Sequence, residues 1–118
     1  MADVVSVLGG GERKAYSGSA TALSESYSPV GGAGFYLREV SLKLDVACTE
    51  VENFTITKDA VDGADWDSEV FSQPMSGKIS SYVRFEGKGI PFSPGDKVLI
   101  AFDNTDNNNY NVLLTVSE

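Results

Sequence analysis

The sequence predicts an all-β chain: an antiparallel β-sandwich, jelly-roll-like, with an extended glycine-rich N-terminal arm. Three observations carry this. From Phe35 onward apolar residues recur at every second position, the period of a strand with one face buried. Clusters of Pro, Gly and Asn interrupt that pattern at intervals suited to short strands. No stretch repeats apolar residues at i, i+3, i+4 and i+7 over three turns, so helix is minor.

Residues 1–34 form the arm. They hold 7 of the 12 glycines and only 5 of the 26 charged residues, which sets them apart from the rest of the chain. Such glycine density opposes helix and leaves an isolated segment flexible, with one or two weak strands, as over Ala15–Leu23. The apolar run Val4, Val5, Val7 and Leu8 exceeds what a solvated tail requires and marks a candidate docking segment.

Residues 35–118 form the sandwich. In Tyr36–Val46 the even positions Val40, Leu42, Leu44 and Val46 are apolar and the odd ones polar. Phe54 and Ile56 alternate with Asn53, Thr55 and Thr57 in a second strand, and Glu69–Ser72 is a short third. Ile79–Phe85 places Ile79, Val83 and Phe85 on one face. Lys97–Asp103 turns Val98, Ile100 and Phe102 inward, and Tyr110–Val116 does the same with Tyr110, Val112, Leu114 and Val116. Between them, Ser93-Pro94-Gly95-Asp96 has Pro and Gly at the two central positions of a type II turn. The Asn-rich segment 104–109 reads as a hairpin loop whose residues tolerate left-handed backbone. An immunoglobulin-type sandwich lacks support, since no Cys pair flanks Trp66.

Composition narrows function mainly by exclusion. The 118 residues suit one domain, and 42% hydrophobic with 22% charged is a globular balance. The absence of His removes Ser-His-Asp and Cys-His catalysis and any His-ligated metal, and a single Cys allows no intrachain disulfide. A net charge of -8 opposes phosphate backbones, so no nucleic-acid partner is expected. No apolar run approaches the roughly 18–20 residues of a membrane span, and Asp3 stands where a signal peptide is basic, so no membrane partner or export is expected.

Local chemistry is sparse. Asp62, Asp65 and Asp67 invite a hard cation, but the calcium-loop spacing and its closing Glu are missing, so a solvated loop is the reading and no metal or cofactor is assigned. No two carboxylates pair as a glycosidase would require, and no catalytic residue or enzyme activity is assigned. Trp66, Phe71, Tyr82 and Tyr110 offer an aromatic sugar platform or, more simply, core and rim; Trp66, set among aspartates, is a candidate contact residue. Cys48 reads as a small buried apolar side chain.

One further signal is an ordered set of short motifs. Leu37–Leu44 is followed by Glu52-Asn53-Phe54-Thr55-Ile56-Thr57, then Phe71-Ser72-Gln73-Pro74, Pro94-Gly95-Asp96 and Asn104-Thr105-Asp106. This order resembles small jelly-roll decoration (cement) proteins of tailed bacteriophage heads, over about two-thirds of the chain; the first 34 residues have no counterpart. The resemblance implies a virion protein on the outer surface of the capsid. It would clamp neighbouring copies of the major capsid protein and associate with itself as a homotrimer or homodimer. The capsid or subunit contacts expected are Val4, Val5, Val7, Leu8 and Trp66. The alternatives are another phage structural module (head fibre, tail or baseplate sandwich) and a carbohydrate-binding β-sandwich.

Overall fold

The computed structural model describes residues 5–8 and 11–117, with side chains from Arg13 to Ser117. The order is β1 (Val5–Leu8), β2 (Gly11–Ser19), β3 (Leu23–Tyr27), β4 (Phe35–Leu44), β5 (Asn53–Asp59), a 3-10 turn (Ala64–Trp66), β6 (Ser68–Pro74), β7 (Ser80–Arg84), β8 (Ile90–Phe92), β9 (Lys97–Phe102) and β10 (Asn109–Ser117). Among the described residues there is no α-helix, as the missing helical period implied.

Two antiparallel sheets result. One runs β1-β2-β10-β4-β7, with β8 also on β4, and the other runs β3-β9-β5-β6. The pairing is nested: β2 joins β10, β3 joins β9, β4 joins β7 and β5 joins β6. That is one long antiparallel hairpin folded over on itself, the jelly roll. β7 and β8 run in the same direction along β4 and act as one edge strand, broken at residues 85–89. Gly89 sits at that break with φ +100°, against the backbone of Leu37 and Arg38.

The core lies between the sheets. Leu37, Val40, Leu42 and Leu44 of β4 and Tyr110, Val112, Leu114 and Val116 of β10 face Phe54 and Ile56 of β5 and Val98, Ile100 and Phe102 of β9. Each of these strands alternates because water meets its other face. At one end Phe35 stacks on Phe92 (centroids 4.7 Å apart) and Tyr27 meets Phe35 edge-on at 5.7 Å. Met75 closes the other end, fully buried.

Two expectations are corrected. The composition change near Phe35 is not a boundary between an arm and a sandwich. β2 pairs with β10 over nine positions and β3 with β9 over five, so residues 11–27 supply strands to both sheets. Glycine-poor β3 and the Ala15-Tyr16 stretch of β2 are held by partner strands far along the chain, which local flexibility does not reveal. Ile79, expected inward, is 49% exposed just before β7, and Ser81 takes the buried position instead.

Candidate interaction surfaces

The nested pairing gathers the loops at two ends. At the first end, side chains join the β2–β3, β4–β5 and β9–β10 loops, among them those of the Asn-rich segment read as a hairpin loop. The β6–β7 loop is tied to the β4–β5 loop by backbone bonds such as Gly77 N–H to Cys48 O at 2.7 Å. Asp106 accepts from the Thr49 backbone N–H (2.6 Å) and hydroxyl (2.8 Å). Glu52 accepts from the Thr105 N–H (3.0 Å) and hydroxyl (2.7 Å). The two carboxylates thus tie the same pair of loops in opposite directions. Asn104, buried and left-handed (φ 54°), donates to the carbonyls of Thr21 and Asn108, while its own oxygen accepts from Asn108 N–H. Asn108, also buried, donates to the Val46 carbonyl. Exposed Val46, Val51 and Ile79 stand on this fastened end.

Cys48 lies buried beneath, its thiol donating to the Glu50 carbonyl at 3.4 Å. Burial holds that thiol above the usual cysteine range, with Glu52 and Asp106 adding to the effect. Donation from Thr49, first by its backbone N–H and then by its hydroxyl, holds Asp106 below the usual aspartate range.

At the second end Gly95 has φ +90° and Asp96 N–H donates to Ser93 O at 3.0 Å, the type II turn read from Ser93–Asp96. Asp96 is buried; its carboxylate accepts from Ser93 N–H and Val61 N–H and lies 4.0 Å from Lys58 Nζ. Lys58 in turn donates to the Pro91 carbonyl. In the β5–β6 loop Asp67 turns inward and accepts from Ala60 N–H at 2.8 Å, while Gly63 (φ +119°) and the 3-10 turn fix the tip. Trp66 is carried on that tip, 69% exposed, between Asp65 and Asp67. Among the described residues no group of three carboxylates is placed to hold a metal ion.

The sheet faces differ in charge. Register and alternation place Arg13, Ala15 and Ser17 of β2, Asn111, Leu113 and Thr115 of β10, Glu39, Ser41 and Lys43 of β4, and Tyr82 and Arg84 of β7 on the outer face of the first sheet. Tyr82 donates to Glu39 there at 3.1 Å. Arg13, Lys43 and Arg84 outnumber Glu39, so this face is cationic on an acidic protein. Small side chains around Leu113 leave a depression of about 220 Å³ between β2, β10 and β4. The outer face of the second sheet instead centres on Ser24, Ser26, Thr55, Thr57, Ser72, Leu99 and Ala101, with charge only at its margins.

Of the expected contact residues, Val5, Val7 and Leu8 fall in β1, whose backbone pairs with β2, and Val4 lies outside the described residues. Trp66 stands on the β5–β6 loop, whereas β1 lies at the edge of the first sheet. The aromatic platform is not assembled: Tyr110 is buried, Phe71 packs edge-on to Phe54 at 6.4 Å, and Trp66 and Tyr82 sit on a loop tip and a sheet face respectively. Missed in the sequence were the Leu113 depression and its cationic surround, because they emerge only when β2, β10 and β4 lie side by side. Comparison with protein-family models, curated proteins and solved structures finds no match for the chain.

Proposed function

We propose that the chain is a virion structural protein, an outer-capsid decoration (cement) protein that binds across neighbouring major capsid subunits and associates with copies of itself. One observation supports the reading: the motifs that resemble those of such proteins fall, in order, along the strands and joints of a jelly roll. The Glu52–Thr57 segment opens β5 and fastens through Glu52 to Thr105. Phe71–Pro74 closes β6. Pro94-Gly95-Asp96 makes the turn whose carboxylate holds Val61, and Asn104-Thr105-Asp106 holds Thr21 and Thr49. The residues of the resemblance therefore specify a rigid frame, and the exposed side chains between them are free to specify a partner.

A clamp needs rigidity and contact area more than chemistry. Loops fastened in advance lose little conformational entropy on docking, and many copies on one shell add their modest affinities. Acidic surface left in water keeps a crowded particle soluble.

The test is a titration of purified protein onto expanded, undecorated heads of a phage that encodes it. Saturation at a fixed number of copies per shell, with raised resistance of the head to heat, is the expected result. Absence of binding to heads alongside binding to tails, or to a glycan array, would replace this reading with one of the alternatives.

A further inference from the structure

We infer that copies of this chain associate head-to-face, with Trp66 of one copy seated in the Leu113 depression on the first sheet of the next. Three features of one chain are complementary. Trp66 is a bulky aromatic presented on a turn fixed by Gly63, by the Ala64–Asp67 backbone bond and by Asp67 on Ala60. The depression, about 220 Å³ and lined by Ala15, Ser17, Ser41, Lys43, Asn111 and Leu113, is mostly apolar and open to solvent. Its volume suits an indole, and Ser17, Ser41, Lys43 and Asn111 supply polar groups at its rim.

Charge decides the occupant. The tip carries Asp62, Asp65 and Asp67, and Glu69 follows it, whereas Lys43 lines the depression and Arg13 and Arg84, against Glu39 alone, lie on the same sheet face. Two tips repel, and so do two cationic faces, so a two-fold contact of either surface with itself is disfavoured. Tip against face is attractive. A preformed aromatic anchor entering an apolar pocket within a polar rim is the usual form of a binding hot spot. Because tip and pocket are different surfaces, the contact is either made twice, reciprocally, across a two-fold axis or repeated head-to-tail, closing as a ring when the rotation permits. This deepens the self-association part of the proposed function and does not depend on the shell.

The experiment is analytical ultracentrifugation of the free full-length protein, with far-UV circular dichroism to confirm folding. Wild type is expected to associate, more weakly as salt rises. Trp66→Ala loses the anchor and Leu113→Lys fills the pocket; each alone should be monomeric, with association weakened roughly 30-fold or more. Mixed, they should form a one-to-one dimer, since one keeps the pocket and the other the tip. Should Leu113→Lys fail to fold, Lys43→Glu at an exposed position takes its place. A monomeric wild type, association untouched by Trp66→Ala, or a mixture without dimers overturns the inference. Failure here with normal saturation of heads would leave the capsid reading standing, and the reverse would leave this one.

Discussion

At the scale of single residues, short polar side chains hold the jelly roll's ends. Asp106 and Thr49 are 57 positions apart, and Asn104 and Thr21 are 83 apart. The Asn-rich loop was legible as a turn, and its left-handed residues Asn104 and Asn107 reflect the tolerance of Asn for that conformation. Its burial was not legible, because the carbonyls it satisfies come from loops that meet it only in the folded chain. Asp106 gives a pH-dependent consequence. A carboxyl held below its unfolded-state value stabilises the fold above that value, and the contribution disappears as pH falls through the folded-state one. Asp106→Asn is therefore expected to lower stability at neutral pH, with the gap to wild type narrowing on acidification. Urea unfolding of both proteins between about pH 7 and pH 3 measures it; a gap that is constant or widens toward acid contradicts the staple.

At the scale of elements, legibility tracked the number of neighbours. β4, β5, β9 and β10 each have a strand on both sides and a sheet across the core, and the inward residues of β5, β9 and β10 were all legible. In β4 a bulge opposite Thr115–Val116 shifts the period, so buried Phe35 and Leu37 went unread, and Val46, which continues the even apolar set, lies exposed beyond the strand. Edge strands carry a weaker pattern. β3 has β9 alone beside it, β6 carries a bulge opposite Ile56–Thr57, and β7–β8 is interrupted by glycines, which hid β8 altogether. The interruption is built on Gly89. A methyl group there would overlap the Leu37 carbonyl oxygen, and φ +100° already disfavours any other residue. Gly89→Ala is expected to destabilise by about 2–4 kcal/mol, the sum of left-handed strain and a backbone displacement. Chemical denaturation reads the loss, and amide exchange should locate it at Phe35–Leu37 and Ile90–Phe92. A cost below about 0.5 kcal/mol would show that the break rests on something other than this contact.

At the scale of the molecule, the nested hairpin makes the chain's two ends structurally equivalent. β2 near the N-terminus and β10 at the C-terminus lie side by side for nine positions, and Tyr16 of β2 reaches across to donate to the Ser26 carbonyl of β3 at 3.2 Å. β10 depends on β2 as much as on β4, since each covers one of its edges. The glycine-rich first third is therefore two different things. β1 pairs with β2 alone, so removing residues 1–8 leaves every strand of the nested pairs in place. Removing residues 1–19 deletes β2, bares the edge of β10 along its length and takes Tyr16 from the core's margin. A cut at residue 14 falls inside β2 and belongs with the second case. The shorter deletion is expected to retain the β-sheet circular dichroism spectrum and shift Tm by no more than about 5 °C. The longer one is expected to yield unfolded or aggregated protein, because the bared edge of β10 exposes a row of backbone donors and acceptors. Cooperative melting of the 1–19 deletion near the wild-type Tm would mean that β10 needs β4 alone, and that residues 11–19 are an arm after all.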